Sequence, residues 1–172
     1  MARKRDTKAK GEEQGKSKEL KIITVQVVTP DKVVSNPRMM GVLYVISKLG
    51  VLHEKTLFHV VKKLQDAGAT FGYNFNTVAG TPYSPELKTD LVSLMYVGFV
   101  ETEPGLYRKL RVTSAGREAL EKHGAPQGIV SVLDTNFKEI RNEASLMDGQ
   151  IDLAIRRSRQ PERRQRRFIP PF

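Results

Sequence analysis

The chain has 172 residues, of which 39% are hydrophobic, with no cysteine and a formal net charge of +10. That length suffices for one domain with its own core plus appendages, and the lack of cysteine excludes disulfides, zinc fingers and a thiol nucleophile. The longest apolar run, around Val25 to Val28, is far shorter than the roughly 18 residues that span a bilayer. No apolar stretch follows the basic start Met1-Ala2-Arg3-Lys4-Arg5, so no secretion signal is expected and the cytoplasm is the expected compartment.

The charge lies in the tails. Residues 1–20 carry seven Lys and Arg, among them Arg3, Lys4 and Arg5, against four acids. Residues 156–172 carry seven Arg (Arg156, Arg157, Arg159, Arg163, Arg164, Arg166 and Arg167) against one acid, Glu162. The 135 residues between them hold a surplus of a single positive charge. Flexible basic arms attract polyanions by releasing condensed counterions, with little demand for sequence. The bland alternative is a solubilising tail.

Residues 1–20, rich in Lys, Glu, Gly and Gln, read as a disordered basic arm. Residues 21–34 read as a strand, Lys21 to Val28, and a linker through Thr29-Pro30-Asp31, because β-branched residues crowd the first part. Ser35-Asn36-Pro37 is a helix start, with a capping side chain and then Pro at the first helical position. The helix should run to Lys48 and turn Met40, Val42, Leu43, Val45 and Ile46 inward, with Gly50 stopping it. A second helix from His53 or Glu54 to Ala67 buries Leu57, Val60, Val61 and Leu64. Phe71 to Thr77 alternates aromatic and polar residues, the pattern of a short extended segment. Ser84-Pro85-Glu86 opens a third helix whose inward stripe is Leu87, Leu91, Leu94 and Met95, closed by Gly98.

Phe99 to Thr102 and Leu106 to Val112 flank Glu103-Pro104-Gly105, two short strands about a turn. Thr113 then caps a fourth helix that ends at His123-Gly124. Three helices, a tight hairpin and another helix make an α+β, mainly α, winged helix-turn-helix layout over residues 35–124. From Leu133 the apolar positions Phe137, Ile140, Ala144, Met147, Ile151 and Ala154 follow at steps of four and three, a heptad seam over 127–157. It reads as a dimerising helix, or else as a long helix folded back on the domain with its seam as ordinary core. Gly149 marks a place where it could break. Residues 158–172 form an Arg-rich tail ending in Phe168-Ile169-Pro170-Pro171-Phe172, too apolar for a simple solubilising tail and suited to docking on a protein partner.

The stretch Tyr73-Asn74-Phe75, Gly80-Thr81-Pro82-Tyr83-Ser84-Pro85-Glu86-Leu87, Asp90-Leu91, Leu94 and Gly98-Phe99-Val100 resembles the segment shared by YwgA-like proteins and the Panacea antitoxin domain. The likeness covers residues 37–122, and the chain has Thr81 where that pattern has Gly before Pro. It implies a winged-helix-like binding domain that acts through protein partners or as a regulator, and it implies no catalytic residue. Val112 to Leu120 looks like the Leu-Thr-x-x-Gly-Arg-x-x-Leu ending of many winged-helix regulators, a packing motif in which Gly116 allows close approach to the hairpin.

Two acids, Glu86 and Asp90, against Lys88 make the third helix a poor reader of a DNA groove. The hairpin is better: Tyr107, Lys109 and Arg111 share one strand face, with Arg108 on the other. Those residues, Arg156 to Arg167 and Arg3 to Arg5 are the expected nucleic-acid contacts, on DNA or RNA, doubled if the heptad helix pairs. No metal, cofactor or catalytic site is expected. His53 and His59 are six residues apart, off ligand spacing, and no phosphate loop or nucleophile motif occurs. The rival reading is a protein-interaction adaptor docked on a nucleoprotein machine such as the ribosome or RNA polymerase.

Overall fold

The starts of α-helices at Pro37 and Pro85 are each set by a capping residue followed by proline. Asn36 accepts the backbone N–H of Arg38 ahead of Pro37, and Ser84 accepts that of Leu87 ahead of Pro85. Thr113 accepts the N–H of Gly116. Each side chain satisfies a donor that the first turn would leave orphaned. The computed structural model describes residues 28–104 and 107–159. In chain order these form α1 (Pro30–Val34), α2 (Pro37–Leu49), α3 (Glu54–Asp66), β1 (Asn76–Val78), β2 (Thr81–Tyr83), α4 (Pro85–Tyr96), β3 (Val100–Thr102), β4 (Leu110–Val112), α5 (Ser114–His123) and α6 (Gln127–Arg159). The protein is mainly helical, with small antiparallel sheets.

The core is the joint product of the helix stripes. Met40, Val42, Leu43, Val45 and Ile46 of α2 are buried, as are Leu57, Val60, Val61 and Leu64 of α3 and Leu87, Leu91 and Leu94 of α4. Met95, expected with them, is 38% exposed, because α4 rotates it away beside Val92 and Tyr96. β3 and β4 pair antiparallel with Glu101 opposite Arg111, and Leu52, between α2 and α3, adds a third rung by exchanging backbone bonds with Leu110. Gly116 of α5 stands against the Phe99 carbonyl and the Val112 side chain, where any Cβ would overlap them.

Several expectations need correction. Pro30–Val34 is a helix rather than linker, since Pro at its first position and Asp31 in its first turn favour one. Residues 21–27, and with them most of the expected strand, lie outside the described residues. The extended segment at 71–77 contributes only Asn76–Val78 as strand, and its partner Thr81–Tyr83 forms a second hairpin that the sequence reading did not foresee. Its turn carries Ala79 and Gly80 at positive φ. α6 runs unbroken through Gly149 to Arg159.

α6 has 33 residues and so is roughly 50 Å long. The heptad seam divides along it. Leu133, Ile140 and Ala144 are buried in this chain's own core together with Ile129. Phe137, Met147 and Ile151 are half-buried and Ala154 is exposed. The folded-back alternative therefore describes the first half of the seam, and those positions are not available for pairing two copies. Gly41 on α2 explains the close fit, since any side chain there would overlap Ile129.

Candidate functional site

Three elements converge beside the hairpin: the start of α3, the β3–β4 segment and the second half of α6. α3 begins without a cap of its own, because His53 at the N-cap makes no side-chain bond to the helix. The missing acceptor comes from α6. Asp148 Oδ1 accepts the His53 backbone N–H at 3.1 Å and also the Thr56 hydroxyl. A carboxylate there meets orphan donors and faces the positive end of a helix dipole. This is why an acid can sit 8% exposed on a face otherwise made of Ile140 and Ala144.

One turn later, Asp152 continues the arrangement. Its Oδ1 lies 2.7 Å from His53 Nε2, and its Oδ2 accepts Lys109 Nζ at 2.9 Å. Lys109 also reaches Asp148 Oδ2 at 3.5 Å. Tyr107 stands edge-on to His53 with ring centres 6.4 Å apart, and its hydroxyl accepts Arg156 Nε. Lys109 Nζ and the Arg156 guanidinium lie 5.8 and 5.7 Å from the Tyr107 ring centre, within cation–π range. A cleft of about 430 Å³ opens onto Lys109, Arg141, Ser145 and Asp152, and an adjoining one of about 340 Å³ reaches Arg108.

The charge states follow from these contacts. Burial works against the Lys109 ammonium, but the hydrogen bond to Asp152 and the nearby carboxylates outweigh it and hold its pKa above the ordinary lysine value. Burial likewise works against the Asp152 carboxylate, yet the bonds from His53 and Lys109 hold its pKa below the usual carboxylate range. The hydrogen bond to Tyr107 raises Arg156 further. Lys109, Asp152 and Arg156 are thus ionised throughout the neutral range.

A second polar seam ties the middle of α6 to α3. His59 Nε2 lies 2.8 Å from Glu143 Oε1, and Lys63 reaches Glu139 at 2.7 Å and also Glu143. These bonds hold Lys63 above and Glu143 below their ordinary values. All buried side-chain polar atoms among the described residues have a hydrogen-bond partner. Among those residues no group of His, Cys, Asp and Glu stands where it could hold a metal ion, and no helix is long and apolar enough to cross a membrane.

The expected contacts separate into groups. Of the expected strand Leu106 to Val112, only Leu110–Val112 forms among the described residues, so strand alternation does not reach Tyr107 and Lys109, both of which turn onto α6 rather than outward. The Tyr107 ring thus has Lys109 and Arg156 of its own chain within cation–π range and its hydroxyl taken by Arg156. Arg111 pairs with Glu101 across the hairpin at 2.9 Å. Arg108 is exposed at φ 46, in the left-handed region. Arg156, Arg157 and Arg159 are exposed in the last turns of α6. Arg163, Arg164, Arg166, Arg167, Arg3, Lys4, Arg5 and the terminal Phe168 to Phe172 lie outside the described residues.

The two acids of α4 also stand differently from the sequence expectation. Asp90 is buried, accepting the Tyr73 hydroxyl at 2.8 Å with Arg38 at 3.7 Å. Burial, then the Asp90 charge, raises the Tyr73 pKa well above its ordinary value. Glu86 takes the backbone and side-chain N–H groups of Asn74. The C-terminal part of the outer face of α4 is apolar, with Val92 51% and Tyr96 61% exposed. Sequence reasoning did not find His53, Thr56, Asp148 or Asp152. The available signal was an acid at a buried position, four residues beyond Ala144 on the same helix face. The chain matches no protein-family model, no curated protein sequence and no solved structure.

Proposed function

We propose that the chain is a winged-helix binding module that grips a phosphate backbone with one basic end. Two arguments support the fold part of this reading. The order α2, Leu52 rung, α3, α4, β3–β4 follows that of a winged helix-turn-helix, with Leu52 as the short first strand and β1–β2 as an insertion between the second and third helices. The likeness of residues 37–122 to YwgA-like and Panacea-type domains points the same way.

The observation that carries the functional part is the contact between Tyr107 and Arg156. It joins the hairpin to the end of α6 and so gathers Arg108, Arg156, Arg157 and Arg159, from which Arg163 to Arg167 follow in the sequence. Guanidinium groups bind phosphate oxygens in pairs and release counterions on doing so. The reading is of a single copy, since the first half of the α6 seam is core. Mobility-shift titration of random duplex DNA and structured RNA over a salt series tests it. The expected result is binding that weakens steeply with salt, with a shallower slope for R156A/R157A/R159A. Absence of binding at low salt rejects the reading.

A protein-interaction role has its own support in the stripe of Val92, Met95 and Tyr96 on α4, where a winged helix ordinarily presents polar groups. Partners that survive nuclease in a tagged pull-down and are lost from V92S/Y96S favour that role.

A further inference from the structure

We propose that α6 is a built-in competitor for the hairpin lysine, with Asp148 and Asp152 occupying Lys109 in the free protein and ceding it to a nucleic-acid phosphate. The inference rests on the phosphate-gripping reading above and concerns its regulation. Two carboxylates one helical turn apart face a single ammonium, an arrangement that reproduces the oxygens and the negative charge of a phosphate. Lys109 meets them at 2.9 and 3.5 Å. It retains 19% side-chain exposure, and the clefts of about 430 and 340 Å³ on either side leave room for a competing anion.

The exchange leaves neither carboxylate orphaned. Lys109 binds the Oδ2 atoms, while Asp148 Oδ1 holds the His53 N–H and Thr56 hydroxyl, and Asp152 Oδ1 holds His53 Nε2. If Lys109 turns outward, both acids keep donors and α3 keeps its cap. A buried pair whose members had no other partners would resist such exchange, because breaking it strands an uncompensated charge. Lys109 would turn toward its neighbour Arg108, which is already exposed. Of the other charged groups on the two clefts, Arg141 lies with its guanidinium over Phe137 at 5.9 Å, Glu103 lines the smaller cleft beside Arg108, and neither side chain pairs with Lys109. The hairpin would then act at full strength only on a polyanion dense enough to outcompete two aspartates, which favours nucleic acid over scattered surface acids.

The test uses the full chain and its D152N, D134N and K109M/D152N variants, with random duplex DNA titrated over a salt series. Asp134 is exposed on α6 and touches neither Lys109 nor the hairpin, so D134N reproduces the change in net charge alone. D152N is expected to bind about two- to fivefold more tightly than wild type, the range of a partly exposed ion pair. Its salt slope should be steeper by about one, the value of one additional phosphate contact. D134N should show a smaller gain with the wild-type slope, and K109M/D152N should lose the gain. Thermal melts of each variant confirm that a folded protein is being compared. Wild-type affinity and slope in D152N, or equal gains in D152N and D134N, overturn the competition while leaving the phosphate-gripping reading in place. No binding by any of the chains at low salt overturns that reading, and this inference with it.

Discussion

The two halves of α6 have the same helical geometry but are attached by different physics. Before Ala144 the helix is held mainly by apolar insertion, with Ile129, Leu133 and Ile140 packed against Gly41 and the stripes of α2 and α3, and Glu139 and Glu143 add a flanking polar seam to Lys63 and His59. After it, the attachment is polar. Asp148 caps α3, Asp152 clasps His53 and Lys109, and Arg156 meets Tyr107. Apolar contact is non-directional and costly to undo anywhere along its length. Ion pairs and hydrogen bonds are local, sensitive to charge and exchangeable with external ligands. The first half is thus anchored, whereas the second is fastened by contacts that a ligand can replace.

The comparison can be broken most forcefully from the apolar side. I140A should destabilise the fold by about 3 kcal/mol, the usual cost of a large-to-small change at a fully buried site, measured by chemical denaturation. Oligomeric state in sedimentation should not change, because Ile140 is core and not a pairing surface. D148A should cost about 2 kcal/mol. It removes the α3 cap and leaves the His53 N–H and Thr56 hydroxyl without their acceptor. A cost as large as that of I140A would erase the distinction between the halves. G149A should stabilise by up to about 1 kcal/mol, since helix propensity favours Ala and a Cβ there meets nothing within 4 Å.

The smallest effect is on pH dependence. Asp152 and Glu143 have folded pKa values below their ordinary ones, so the stability they add is complete above about pH 4 and is lost as pH falls through the folded values. Lys109, with a raised pKa, contributes below about pH 10 and loses its contribution only as pH rises through its folded value. Melting temperature should therefore fall below about pH 4, and D152N should reduce that fall while costing less than about 1 kcal/mol at neutral pH. Hydrogen exchange sharpens the contrast further. Amides after Asp148 are expected to exchange faster than those around Leu133 to Ala144.

What the chain's sequence determined by itself is its local structure: the starts of α2, α4 and α5 at a cap, the glycine stops, and a hairpin between α4 and α5, though not its register. Capping, glycine conformation and hydrophobic period act within a few residues, so they can be read without knowing the rest of the fold. Only the tertiary structure decided which face of α6 would find a partner, and whether that partner would be a second copy or α2 and α3. A heptad seam and a core stripe have the same spacing, and a buried Gly41 eighty-eight residues upstream of Ile129 settles the matter. The same holds for charge. Lys109 and Arg111 are cations in the sequence, but Asp148 and Asp152 far along the chain, and Glu101 across the hairpin, fix how much of that charge faces outward, because electrostatic contact depends on distance in space and not along the chain.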